Sequence, residues 1–172
     1  MTAPSETPST FPPAGRLLGI DYGTKRVGVA IATPDRTIAS PLEIYQRRNE
    51  QLDARYFKTV IEDYRPCGIV VGLPVHVSGA EGESAQGARR YGKWLGELSG
   101  LPVEFWDERY TSSVAEDYLL GADMTRQQRK KRIDMVAAQI MLQSYLNFHR
   151  PPASLTELAA DVDADDETSE EE

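Results

Sequence analysis

Five consecutive residues near the middle of the chain, Gly68–Ile69–Val70–Val71–Gly72, carry no polar side chain. A strand exposed on one face alternates polar and apolar residues, so an unbroken apolar run marks a strand buried on both faces. Such a strand needs helices above and below it, which narrows the chain to an α/β fold. Leu73 and Pro74 end the run. The 172 residues, 40% hydrophobic and 27% charged, suffice for one domain with a real core and are too few for two.

The segments on either side fit that frame. Arg16 to Asp21 is a short apolar run ending in an acid, and Tyr22–Gly23–Thr24–Lys25 is a turn signal. Val27 to Thr33 and Thr37 to Ile44 read as two further strands, so the opening is a three-stranded antiparallel meander. Helical spacing follows at Leu52, Tyr56, Val60 and Tyr64, and again over 83–98, where glycines 87, 92 and 96 count against a helix. Pro102 to Trp106 is a fifth strand, and Ser113 with Glu116 has capping-box spacing for a short helix to about Leu120. The last helix, about 133–148, is apolar nearly all round and reads as central. The order βββαβαβαα, with right-handed crossovers, sets strands 4 and 5 parallel to strand 1. The expected architecture is a mixed five-stranded sheet, antiparallel over strands 1–3, with helices on both faces.

Charge is unevenly distributed. The formal net charge of −8 argues against a polyanionic partner, but nine acids and no base lie in residues 151–172, and only Glu6 lies in residues 1–14. Residues 15–150 keep 17 acids against all 19 Lys and Arg, a net of +2. Residues 1–14, rich in Pro, Ser and Thr, read as a disordered tail, and 151–172 as a solvated acidic tail able to compete with nucleic acid. No apolar run approaches the roughly 20 residues of a membrane span. The N-terminus lacks the features of a secretory signal, and the single Cys67 cannot form an internal disulfide, so a cytoplasmic setting is expected.

Three acids stand where chemistry is expected. Asp21 falls at the carboxyl end of strand 1, where sites form in open α/β sheets, within D-x-G-x-x-R-x-G (Asp21, Gly23, Arg26, Gly28). Asp107 and Glu108 end strand 5. Consecutive strand residues face opposite ways, so only one of the two joins Asp21, the other being free to pair with Arg109. Asp134 lies among Ile133, Val136, Ala137, Ala138 and Ile140 on the last helix, where a carboxylate is costly unless paired or metal-bound. Three carboxylates without a Cys/His cluster favour a hard ion, Mg²⁺ or Mn²⁺. Two such ions about 4 Å apart support phosphodiester hydrolysis. Arg126, Arg129, Lys130, Lys131 and Arg132, five bases in seven residues, precede Asp134 and suit a phosphate backbone. Lys25, Arg26 and Arg109 lie beside the acids, and Arg89, Arg90 and Lys93 could extend the patch. His76 and Cys67 have no evident chemical partner.

These pieces together resemble the YqgF/RuvX family of Holliday junction resolvase-like proteins, also described as pre-16S rRNA nucleases. The matching segments are Gly19–Ile20–Asp21–Tyr22–Gly23 with Arg26 and Gly28, Ile69 to Pro74 with Gly79, Asp107 to Ser112 with Ala115, and Ile133–Asp134 with Ala137–Ala138 and Leu142 to Leu146. The resemblance spans about residues 16–147. It implies a ribonuclease H-like fold and a cytoplasmic, metal-dependent nuclease that matures the 5′ end of 16S rRNA, with Asp21, Glu108 and Asp134 as catalytic metal ligands. Junction resolvases of this fold carry a glutamate at the end of strand 4, where this chain has Gly72–Leu73–Pro74, so the acid has moved to strand 5. Analogy with them extends to a symmetric homodimer, on which no residue bears.

Two other functions share parts of the pattern. Sugar kinases also place D-x-G after a first strand, but close two lobes over ATP, and this chain holds one. A branched-DNA nuclease or a non-catalytic RNA-binding assembly factor would keep the fold and the basic cluster. Only a cleavage assay separates these, and sequence leaves RNA against DNA and exo- against endonuclease open.

Overall fold

The structure, a computed structural model, describes residues 9–111, 114–115 and 124–150. Apart from Val114 and Ala115, the helix expected after Ser113 lies outside the described residues, as does the acidic tail. Strands β1 (Leu17–Asp21), β2 (Arg26–Ala32) and β3 (Ala39–Gln46) precede helix α1 (Glu50–Tyr64). Strand β4 (Gly68–Leu73), helix α2 (Glu83–Ser99), strand β5 (Val103–Asp107), a 3-10 turn (Glu108–Thr111) and helix α3 (Arg126–Phe148) follow.

The sheet order is β3-β2-β1-β4-β5. β1–β2 and β2–β3 pair antiparallel, β1–β4 and β4–β5 parallel, the mixed ribonuclease H-like arrangement expected. All six residues of β4 are buried, because it is flanked by strands on both sides and by helices on both faces.

Strand alternation sorts the core into two layers. Leu18, Ile20, Val27, Val29, Ile69 and Val71 pack with Phe57 and Val60 of α1 and Ala88, Tyr91 and Leu95 of α2. Leu17, Ala30, Val70 and Trp106 face the other way, onto Ala138, Met141, Leu142 and Tyr145 of α3. The glycines of α2 serve close packing: a Cβ on Gly92 would sit 2.7 Å from the Phe105 ring. Among the described residues no helix is long and apolar enough to cross a membrane.

Two expectations are corrected. Residues 9–14 do not form a free tail: Phe11 is buried against Gly68, which leaves its ring the space of a side chain, and the Ser9 hydroxyl and Thr10 amide donate to Glu104. The final helix starts at Arg126 rather than near 133, on a capping box formed by Thr125 and Gln128, and its buried residues begin only at Ala138. Ala138 is the first buried residue of α3 and lies against Gly28 of β2.

Candidate active site

Parallel pairing of β1, β4 and β5 brings their carboxyl ends to one edge of the sheet, with Asp21 ending β1 and Asp107 ending β5 opposite Leu73. On β1, alternation turns Leu17, Gly19 and Asp21 toward α3. A Cβ on Gly19 would lie 2.9 Å from Leu142, and one on Gly28 would lie 3.1 Å from the Ala138 methyl and 3.3 Å from Asp21 Cβ. Small residues thus let α3 lie close to the sheet beside Asp21.

The choice between Asp107 and Glu108 resolves geometrically. Asp107 faces away from α3 and clasps the guanidinium of Arg109, with Nε 3.0 and 2.9 Å from the two carboxylate oxygens and Nη2 2.5 Å from Oδ2. It also accepts from the Arg109 amide at 2.9 Å, closing the turn out of β5. Glu108 reaches back over β4 to Asp21. A Cβ on Gly72 would stand 2.6 Å from Glu108 Oε1, so the missing side chain of β4 is what admits this carboxylate.

The electrostatics follow from that crowding. Burial and then the charge of Asp134 raise Asp21 to about 6, a shift partly offset by a hydrogen bond from Glu108. Burial, the charges of Asp21 and Asp107, and the proton it donates to Asp21 raise Glu108 to about 7. The two carboxyl groups share a proton because neither can ionise cheaply beside the other.

Asp134 is placed differently from the expectation. It is exposed, one helical turn before Ala138, so the cost of burial that singled it out does not apply. Its charge is nonetheless felt at Asp21. Among the described residues no three His, Cys, Asp or Glu side chains stand together as a ready metal cluster.

Of the expected nucleic-acid contacts, Arg126, Arg129, Lys130, Lys131 and Arg132 are all exposed on the first turns of α3 and make no ion pair among the described residues. Lys25 and Arg26 are exposed in the β1–β2 turn and at the start of β2. Arg109 pairs with Asp107, and Arg89 clasps Glu81 with both Nε and Nη2. Arg90 lies on the opposite face, lining a cavity of about 690 Å³ with Lys25, Arg47, Arg48, Tyr22, Tyr91 and Trp94. Sequence reasoning missed this cavity. Its one visible trace is the doublet Arg47–Arg48 beside the helix cap Asn49.

The sequence model of RuvX, described as Holliday junction resolvase, matches residues 15–148. A Rhodopirellula baltica protein named "Putative pre-16S rRNA nuclease" is 42% identical over 140 residues, covering 81% of each chain. A Bradyrhizobium protein of the same name is 38% identical over 142 residues, covering 83% of this chain and 88% of its own. Among solved structures, RuvC of Thermus thermophilus in complex with a Holliday junction substrate superposes with a TM-score of 0.50 at 15% identity, covering 78% of this chain and 96% of that one. That likeness is one of fold.

Proposed function

The chain belongs to the RuvX family, and from that membership we propose that it is a metal-dependent nuclease that hydrolyses phosphodiester bonds, acting on the 5′ end of pre-16S rRNA in ribosome biogenesis. The observation that carries this reading is the carboxyl pair Asp21–Glu108, held together over Gly72 at the carboxyl edge of the sheet. Two half-buried carboxyl groups forced to share a proton form a site short of positive charge. Their donors are all oxygen, which suits Mg²⁺ or Mn²⁺ rather than a softer metal. Asp21 and Glu108 would hold the ions, with Asp134, whose charge is felt at Asp21, as the third carboxylate drawn in by them. One or two such ions would activate water and offset charge on the leaving oxygen.

The chain's own residues have distinct tasks in this reading. Glu108 releases the proton it holds against Asp21, which frees both carboxylates as ligands. Gly72 keeps the space in which Glu108 sits. The five cations of α3 draw the phosphate backbone toward Asp134, on the same helix. Their position supports that role: a cation in the first helical turn opposes the helix dipole at about 0.3–1 kcal/mol, and the first turn of α3 carries Arg126 with no acid to offset it. A bound polyanion removes that cost.

The test is cleavage of a 5′-extended ribosomal RNA fragment, with a four-way DNA junction alongside, in Mg²⁺ or Mn²⁺. Glu108→Gln is expected to lower RNA cleavage by about 100-fold or more while leaving salt-sensitive binding intact. Binding without cleavage by the wild type would make the chain an RNA-binding assembly factor, and preferential cleavage of the junction would make it a DNA nuclease.

A further inference from the structure

The opposite face of the same sheet edge carries a second arrangement that the acid site does not use. Where Asp21 turns toward α3, the next residue, Tyr22, turns toward α2 and packs against Tyr91 with ring centroids 5.3 Å apart. Gly87 makes this possible, because a Cβ there would stand 2.7 Å from the Tyr22 ring. Tyr91 continues to Trp94 at 5.2 Å, so three aromatic rings form one wall. Arg47, from the end of β3, places its guanidinium over Tyr22 and Tyr91 at 5.5 and 5.1 Å.

The cavity bounded by this wall is short of acceptors. The Tyr91 hydroxyl, on a side chain only 6% exposed, has no hydrogen-bond partner among the described residues, and neither has Arg47 Nε. Arg47 donates through Nη1 to the carbonyls of Gly23 and Thr24, at 3.3 and 3.2 Å. Asp53 stands 3.9 Å from Arg47 Nε, too far for a hydrogen bond. That carboxylate is already used by the Tyr45 hydroxyl at 2.8 Å and the Arg48 amide at 3.0 Å. Lys25, Arg47, Arg48 and Arg90 face Glu50 and Asp53, an excess of positive charge. Unpaired buried donors of this kind cost about 1–3 kcal/mol each, and persist where a ligand supplies the acceptor.

We propose that this cavity binds one nucleotide, its phosphate on the Arg47–Arg48–Arg90 cluster and its base against Trp94. An acceptor-rich anion answers the unpaired donors and the charge. A flat ring answers the half-buried Trp94, which a bare anion would leave unused. About 690 Å³ falls within the roughly 300–1,000 Å³ of small-molecule sites. The nucleotide comes either from the strand held at the acid site, across the Tyr22–Lys25 turn, or from solution. The strand as source rests on the nuclease reading; the chemistry of the cavity does not.

The experiment is equilibrium binding to the full chain in EDTA, where no cleavage occurs, using inorganic phosphate, adenosine, AMP and a ten-nucleotide single-stranded RNA. AMP is expected to bind at least about tenfold tighter than phosphate or adenosine, and Arg90→Glu to weaken AMP binding by about tenfold. Arg90 is exposed, so that variant keeps the fold, as a thermal melt will register. Tyr91→Phe removes a hydroxyl with no partner among the described residues, so it is expected to leave the melting temperature unchanged or higher while weakening AMP by about threefold. Loss of RNA affinity in the same variants identifies the strand as source; AMP loss with RNA unchanged identifies the free nucleotide. AMP no tighter than phosphate, or both variants binding AMP like the wild type, overturns the proposal. A wild type that binds AMP but cleaves nothing sinks the nuclease reading and leaves this one standing.

Discussion

The two faces of the sheet's carboxyl edge are built from neighbouring residues and carry opposite deficits. On the α3 face, Asp21 and Glu108 have more negative charge than the protein around them neutralises, and both are raised well above the ordinary carboxyl range. On the α2 face, the Tyr91 hydroxyl and Arg47 Nε are donors without hydrogen-bond acceptors among the described residues. One face lacks a cation and the other lacks an anion. Both deficits are kept against the usual rule that buried polar groups are satisfied, which is how a fold marks the places where something else must bind. A one-residue step from Asp21, the last residue of β1, to Tyr22 is enough to separate them, because successive residues along a strand face opposite ways.

The sharpest way to break the comparison is to close the space that lets Glu108 cross β4. Gly72→Ala puts a methyl where Glu108 Oε1 now stands 2.6 Å away, next to the Met141 side chain. Glu108 must then swing off Asp21. Displacement by about 1 Å can cost about 100-fold in rate, and cleavage of the RNA fragment is expected to fall by that order while AMP binding on the other face is unchanged. Undiminished cleavage would show that the Asp21–Glu108 pair is not the reacting centre.

How far the sequence revealed this site depends on how local each signal was. The unbroken apolar run of β4 was enough to require helices on both faces, and the acid ending β1 was enough to point at the carboxyl edge. Asp107 and Glu108 could not be separated from sequence, because the answer depends on where β5 gives way to a turn and on Gly72 in a different strand. Asp134 was selected through a burial that the structure lacks. Apolar periodicity begins near Ile133, whereas the helix is started seven residues earlier by the polar pair Thr125 and Gln128, and its buried residues begin only at Ala138. The α2-face cavity left almost no trace, since its walls come from the β1–β2 turn, the end of β3, the start of α1 and the middle of α2. Phe11 was hidden by its surroundings: a single aromatic residue among prolines and hydroxyls gives no periodicity to read.

A second prediction measures the charge deficit of the acid face directly. Asp21 and Glu108 are raised to about 6 and about 7 from ordinary values of 3.8 and 4.5, so the folded state holds protons that the unfolded chain has released. For raised carboxyl groups the sign is fixed: they favour the native state at acid pH, and that contribution is lost as pH climbs through the folded values. Metal-free protein is therefore expected to lose on the order of 2 kcal/mol of stability between about pH 4.5 and 7.5 through this pair. Asp21→Asn or Glu108→Gln should flatten that slope and melt higher than the wild type at pH 7.5. Denaturant melts across the range in EDTA test it, and a slope unchanged by either substitution would mean that neither carboxyl group is raised in the folded state.

The acid adjacent to Glu108 in the chain is expected to matter least. Asp107 and Glu108 differ by one position, yet Asp107 is paired with Arg109 and is partly open to water. Pairs of that exposure contribute about 0–1 kcal/mol, so Asp107→Asn should shift stability by less than that. It should alter cleavage by no more than about threefold. One further consequence distinguishes the neighbours. The charge of Asp107 is among the causes that raise Glu108, after burial and the charge of Asp21. Removing it should move the pH dependence of metal-free stability slightly toward acid, whereas Glu108→Gln abolishes most of that dependence. A loss of cleavage from Asp107→Asn as deep as from Glu108→Gln would mean that strand alternation at the end of β5 does not divide ligand from brace.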